Sequence, residues 1–291
     1  MTSEATRAIL LGTAQDAGYP SIGCRKACCH GARLNHALHS HPACLAICHP
    51  EGKRWLIDCT PEFPRQLDML DGLCPPQAAA PDLAGILLTH AHIGHYTGLM
   101  QLGREALATR ELPVYGTARM LDFLRGNAPW DQLVRLGNIS LRELVPGTSL
   151  ELAAGLQLEP LPVPHRAEYS DTVAFRISGR HAALLYLPDI DNWEDCRPSI
   201  EELLQDVDHA LLDGTFFSGG ELPGRDMSRI PHPTVSESLL RFAGLPERTR
   251  SGIHFFHLNH SNPLLQPGSE ACAQVERAGM QVARPEQEFL L

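Results

Sequence analysis

The sequence has 291 residues, 43% of them hydrophobic, and a formal net charge of -10. That is enough apolar material for a sizeable core, while the acidic balance, with no basic cluster to neutralise phosphates, speaks against duplex nucleic acid or a membrane surface as a partner. No apolar run approaches the roughly 20 residues of a membrane span, and the opening MTSEATRAIL lacks the basic start and long apolar core of a secretory signal, so a cytoplasmic protein is expected.

In chain order, RAILLGTA reads as a first strand. GCRKACCH follows and gathers Cys24, Cys28 and Cys29 in a loop at about residues 20–30. The chain carries nine cysteines, an odd number, so a disulfide framework is not expected; the six scattered ones read as small buried hydrophobes, and only the cluster asks for its own explanation. RWLIDCTPE is a strand that runs into Asp58, and helical spacing covers 62–72. The Pro- and Ala-rich stretch 74–82 is an excursion before the next strand. In GILLTHAH, read as a strand, His90 and His92 alternate onto one face at the carboxyl end. A helix over 95–108 then starts with His95 pointing back to the same place.

Strands LPVYGT, LQLEPLPVPH, TVAFRIS, AALLYLPDID, HALLDGTF and GIHFFHLNH follow, with helices expected at 117–125, 198–205, 234–243 and 268–278. This mixture is α/β, and with no repeat, low-complexity tract or linker it reads as one domain over 1–291. The chain holds 15 histidines, many at the ends of apolar runs rather than on polar faces, a pattern that suggests metal.

THAHIGH resembles the HxHxDH signature of the metallo-β-lactamase superfamily, with Gly94 in the place of the aspartate. The resemblance extends in order over nearly the whole chain and implies an αββα sandwich with metal held between loops at one edge of the two sheets. On the same resemblance, Asp58 supports the metal loop, His165 of PVPHRAEYSDT is the third motif, Asp189 of LLYLPDID is the bridging carboxylate, and His257 of FFHLNH is the final histidine. One ion then takes His90, His92 and His165 with Asp189 shared, a set suited to zinc with an open position for water. A second takes His95, His257 and Asp189; because Gly94 offers no side chain, this position is expected to lack one negative charge and to bind more weakly or hold another metal, with iron or manganese as alternatives. Asp191 rivals Asp189, and His254 rivals His257 less well because it lies inside its strand.

In two related groups, the pyrroloquinoline-quinone biosynthesis protein B and the cyclic-phosphate phosphodiesterase of phosphonate breakdown, an early Cys-rich loop and a late histidine hold a structural zinc. The segments LGTAQDAGYPSIGC, PVPHRAEYSDTVAFRI, LLDGTFF and HLNHSNPLL resemble the protein B group in particular. The resemblance implies a closed Cys₃His site of Cys24, Cys28, Cys29 and His260, with His30 as a substitute for one ligand.

Zinc lowers the pKa of bound water from about 15.7 toward 7, so hydrolysis by a metal-bound hydroxide is the natural use of such a site. His232 of RIPHPTV is assigned as general acid, against the alternative of a helix-start histidine ahead of the cap candidate Thr234. Asp189 shares the catalytic role as the bridging carboxylate, and Tyr169 and Asp171 line or support the pocket. The expected activity is hydrolysis of a small anionic phosphodiester or ester. An iron-dependent hydroxylase of the quinone-biosynthesis type and a non-catalytic zinc-stabilised binding protein are the alternatives. The expected partner is a small-molecule substrate, with no nucleic acid and no membrane; a homodimer is one assembly open to the chain.

Overall fold

Segments such as CLAIC (Cys44–Cys48) and RWLI (Arg54–Ile57) are buried at every position, as strands covered on both faces must be. The computed structural model describes residues 5–77 and 83–291. Among these, one sheet holds β1 (Arg7–Gly12), β2 (Cys44–Cys48), β3 (Arg54–Ile57), β4 (Gly85–Leu87), β5 (Leu112–Gly116) and β6 (Ile139–Glu143). The other holds β7 (Leu150–Ala153), β8 (Leu156–Pro162), β9 (Val173–Ser178), β10 (Ala183–Leu187), β11 (His209–Asp213), β12 (Ile253–Phe256) and β13 (Gln281–Val282), and β14 (Glu288–Leu290) returns to the first sheet beside β1.

The strand orders are β14-β1-β2-β3-β4-β5-β6 and β13-β12-β11-β10-β9-β8-β7. Each sheet is antiparallel at one end and parallel at the other: β3 to β6 run parallel in the first, β10 to β13 in the second. Parallel neighbours need crossover helices, and these cover the outer faces. Phe63–Leu73, Ala118–Gly126 and Trp130–Arg135 bury Phe63, Leu70, Met120, Leu124 and Leu133 against the first sheet. Ile200–Gln205, Val235–Phe242 and Glu270–Arg277 bury Ile200, Leu203, Phe242 and Val275 against the second. Between the sheets lies a third apolar layer, with Leu10, Ile47, Trp55, Phe175, Tyr186 and Phe256. The expected αββα sandwich is therefore the fold. Among the described residues no helix is long and apolar enough to cross a membrane.

Two expectations are corrected. The strand read over GILLTHAH stops at Leu87, so His90 and His92 lie in the loop beyond it. The cause is in the backbone donors: Thr89 N–H goes to the Asp58 carboxylate at 2.9 Å and Ala91 N–H to Ser170 Oγ at 2.8 Å, so the ladder has no further rungs. The helix expected over 95–108 is a short turn, Ile93–Tyr96, followed by a 3-10 segment, Thr97–Leu102. Gly98 N–H leaves the helix pattern to bond Cys59 O at 2.9 Å. The helices Ala27–Leu34, Trp130–Arg135 and Glu247–Ser251, the central strand β2 and the strands β6, β7, β13 and β14 add to what the sequence pattern marked. Residues 78–82 of the expected excursion lie outside the described residues.

Candidate metal centre

The two sheets bring the carboxyl ends of six strands to one edge. Asp58 follows β3, His90 and His92 follow β4, His165 follows β8, Asp189 follows β10, Asp213 ends β11 and His257 follows β12. Ligand sites of open α/β sheets lie at such carboxyl ends. Asp58 and His257 have positive φ values, 66° and 57°, a conformation that costs a non-glycine residue roughly 1–3 kcal/mol and is held only by its surroundings.

The tautomers of the five motif histidines, fixed by their outer hydrogen bonds, turn ring nitrogens toward a common centre. Thr89 Oγ1 donates its proton to Asp58, so at 2.9 Å it accepts from His90 Nδ1–H. His95 Nδ1–H donates to Asp58 Oδ2 at 2.8 Å, and His165 Nδ1–H to Asp191 Oδ1 at 2.8 Å. Thr215 Oγ1 gives its proton to a backbone carbonyl and accepts from His257 Nδ1–H at 3.1 Å. All four rings thus keep Nε2 as a lone pair facing inward. His92 is turned round: its Nε2–H donates outward to Glu168 at 3.3 Å and its Nδ1 faces His165 Nε2 at 3.2 Å. Two nitrogens held tetrahedrally on a zinc ion sit about 3.3 Å apart. Burial pushes the pKa of His90 and of His165 down, and neutral imidazole is the form that ligates.

Asp189 joins two groups of donors. Its Oδ1 is 3.7 Å from His165 Nε2, and its Oδ2 is 3.2 Å from His95 Nε2, 3.4 Å from His257 Nε2 and 3.9 Å from His90 Nε2. Asp191 bonds the back of His165 instead, so the geometry favours Asp189 over its rival. His254 sits inside β12, away from the cluster, with Nδ1 on Gln287.

The charge deficit expected from Gly94 is not found. Asp16, in the loop after β1, brings Oδ1 to 3.4 Å from His95 Nε2 and 4.0 Å from His257 Nε2. His90 Nε2, Asp189 Oδ2, His257 Nε2 and Asp16 Oδ1 are all buried and all lack a hydrogen-bond partner. Four orphaned acceptors pointing at one another are costly unless a cation lies among them. Burial opposes charge on His95, but Asp58, Asp16 and Asp189 override it and push its pKa well up, so a proton and a metal ion compete for its Nε2. These residues fit a divalent metal.

A second cluster lies apart. Cys24, Cys28, Cys29 and His260 hold their donor atoms within 4.8 Å of one another, and Cys24 Sγ to Cys28 Sγ is 3.9 Å. Sulfurs at zinc–thiolate bond length in a tetrahedron are about 3.8 Å apart, so this donor set suits a closed zinc site. The adjacent Cys28 and Cys29 both reach it from the first turn of the helix Ala27–Leu34. Burial, aided by Cys24 and Cys28, pushes the Cys29 thiol up to about 12, so metal binding there displaces a proton. His30 is exposed and outside the cluster, which removes it as a substitute.

His232 stands beside the histidine centre. Its ring centroid is 5.5 Å from that of His165, and its Nδ1–H donates to Asp213 Oδ2 at 2.7 Å. Burial alone would lower its pKa, but the Asp213 carboxylate, with Asp189 behind it, raises it to about 9. Thr234 caps the next helix through a capping box, as the helix-start reading of this segment expects. His232 lines a cleft of about 940 Å³ with Asp191, Trp193, Phe216 and Arg225. Tyr169 is exposed against Phe123, and Asp171 accepts from Thr117; neither joins the cluster.

Residues 53–255 match the β-lactamase superfamily domain. The chain belongs to the metallo-β-lactamase superfamily. Within the superfamily it is 27% identical to the coenzyme PQQ synthesis protein B of Ruegeria pomeroyi over 97% of this chain and 99% of the relative. It is 28% identical to the same-named protein of Methylobacterium nodulans over 95% and 97%. Among solved structures, the zinc-bound PqqB of Methylobacterium extorquens superposes with a TM-score of 0.83 at 20% identity, covering 98% of this chain and 100% of that one. A diphosphatase of the PhnP family gives 0.69 at 21%, covering 98% and 97%. These two likenesses speak for the fold alone.

The superfamily motif led to the histidines but not to everything around them. Asp16, Glu168, Asp213 and Thr215 lie in segments that carry the resemblance to the protein B group, and Thr89 directly precedes the first motif histidine, but the motifs give a role to none of them. Asp213 shares one local mark with Asp58 and Asp189, an acidic residue at or just beyond the end of an apolar strand.

Proposed function

We propose that this chain is a metal-dependent hydrolase of a small anionic phosphodiester or ester. The observation that carries the reading is the set of inward-facing bare donors, from His90, His92, His95, His165, His257 and Asp189, opening beside a protonated His232 at the wall of a cleft. A divalent ion held by these ligands supplies Lewis acidity and an activated water. The chain's own part is to orient and to move protons. Asp58, Asp191, Thr89 and Thr215 fix the rings; Asp213 keeps His232 charged, so that it can hand a proton to a leaving oxygen. Trp193, whose Nε1–H is tied to Ser238 Oγ at 2.9 Å, and Phe216 form the apolar wall. Asp191, Glu194, Asp226 and Glu237 also line the cleft, against Arg225. That acidic rim favours a singly charged substrate over a polyanion.

The test is a panel of phosphodiesters and esters assayed with the parent protein and with His92→Ala. Loss of one activity in the variant is expected; an activity profile indifferent to the substitution sinks the reading.

A role in coenzyme PQQ synthesis, with iron at the same ligands, is a second reading, supported by the end-to-end likeness to relatives of that name. Oxygen consumption by iron-loaded protein supplied with a reductant and a Tyr-containing peptide distinguishes it from hydrolysis, and no consumption under any reductant counts against it.

A further inference from the structure

The signature HxHxDH places a carboxylate two residues after its second histidine, and here that position is Gly94. A Cβ built on Gly94 falls 2.6 Å from Asp16 Cγ and 2.8 Å from Asp16 Cα, so the space a side chain at 94 needs is filled by Asp16. We propose that Asp16 is the carboxylate ligand of the second ion position, beside His95, His257 and Asp189, and that Gly94 is glycine because Asp16 occupies its place. The inference rests on the reading that the histidine cluster holds ions.

Three observations carry it. The first is the steric exclusion itself: an aspartate at 94 and Asp16 in its present position cannot coexist. The second is atomic. Asp16 is only half-buried, yet its Oδ1 is sealed from solvent without a hydrogen-bond partner and faces the Nε2 atoms of His95 and His257. A half-buried loop carboxylate with solvent within reach has no reason to turn an oxygen into the protein unless something there attracts it.

The third is how firmly the loop is held. Leu258 N–H bonds Thr13 O at 2.8 Å and Gln15 N–H bonds Leu258 O at 2.9 Å, which makes residues 13–15 a rung against the segment that carries His257. Ala14 N–H is fixed to His41 O at 3.0 Å, and Gly18, at φ 67°, turns the chain back with its N–H on Gln15 O at 2.8 Å. Asp16 is thus registered to His257 by backbone pairing, as a ligand must be if it is to meet a metal without rearrangement. The carboxylate has changed its chain address and kept its place in space.

The test counts ions. Protein loaded with zinc and dialysed is assayed for metal content, and affinities are read by competition with a chromogenic chelator, for the parent, Asp16→Asn, Asp16→Ala and the exchange Asp16→Gly with Gly94→Asp. The parent is expected to hold two ions at the histidines besides the one at the thiolates. Asp16→Ala should lose one of these, Asp16→Asn should bind it about tenfold or more weakly, and the exchange should regain it. If Asp16→Ala does not fold, the isosteric Asp16→Asn still decides. Parental affinity in Asp16→Asn overturns this inference alone, and so does a folded exchange variant that fails to regain the ion. A parent that binds nothing at the histidines overturns the functional reading with it.

Discussion

Asp213 Oδ2 accepts a 2.7 Å hydrogen bond from His232 Nδ1, while the same carboxylate takes the backbone N–H groups of Ile190 at 3.1 Å and Thr215 at 2.9 Å. One buried side chain therefore fixes the loop of Asp189, the start of the loop after β11 that carries Thr215, the partner of His257, and the proposed acid. His232 spends its Nδ1–H on Asp213 and is not one of the proposed ligands, although it lies in one donor group with Asp189 and Asp213, so its removal should separate proton transfer from metal binding. His232→Ala is expected to lower kcat by about 10²–10⁴-fold, the usual worth of a general acid, with metal content at the parental value. Full turnover in the variant would return His232 to the role of a helix-entry residue ahead of Thr234.

Asp58 accepts from Thr89 N–H, Thr89 Oγ1 and His95 Nδ1, which makes it the hub behind the loop of His90 and the ring of His95. Its φ of 66° is a conformation that asparagine tolerates better than other branched or bulky residues, so Asp58→Asn changes charge and little else in the backbone. Loss of such an outer partner costs about 10–100-fold in metal affinity. Chelator competition on the folded variant reads this directly, and an unchanged affinity would mean that His95 needs no orienting carboxylate.

The histidines of the centre were legible because each lies just past an apolar run, where a strand delivers a side chain to the sheet edge. Legibility failed where the deciding contact is tertiary. GILLTHAH has strand composition to its end, yet Thr89 and Ala91 spend their N–H groups on Asp58 and Ser170, partners 31 and 79 residues away. Gly94 looked like a lost ligand because its replacement lies 78 positions earlier in sequence, and nothing in local pattern joins position 16 to position 94. Edge strands as short as Gln281–Val282 carry too few residues to display a period.

His254 offers a test of burial that does not involve the centre. It sits inside β12, with Gln287 Nε2 donating to its Nδ1 at 3.1 Å and with His209 and Phe289 against its ring. Burial, reinforced by His209, pushes its pKa down to about 4. Above pH 6.5 the ring is neutral in folded and unfolded chains alike and contributes nothing to pH dependence. As pH falls from there toward 4, the unfolded chain takes up a proton that the folded one refuses, and stability drops by up to about 3 kcal/mol at 1.36 kcal/mol per pKa unit. Denaturant midpoints at pH 7 and pH 4.5 should therefore diverge more in the parent than in His254→Gln. The same divergence in both proteins would show that this ring is not the group responsible.

Two chain segments serve both candidate metal clusters. The first runs from Asp16 to Cys24, Cys28 and Cys29, the second from His257 to His260, and the Ala14–Leu258 bridge pairs them at the histidine end, two residues before Asp16 and one after His257. An ion on the thiolates and His260 joins these segments a second time, so it limits how far Asp16 can drift from His257. Removing that tie should weaken the ion next to Asp16 although no atom of that site is changed. Cys24 is chosen because, unlike Cys29, it is not buried, and, unlike Cys28 and Cys29, it lies outside the helix Ala27–Leu34. Cys24→Ser is expected to lose the thiolate ion and to bind the ion beside Asp16 about tenfold less tightly, a coupling of ordinary size for linked sites, while the affinity at His90, His92 and His165 stays near the parental value. Equal losses at both histidine positions would indicate general loosening of the fold, and no loss at either would show that the β1 loop holds Asp16 by its backbone bonds alone.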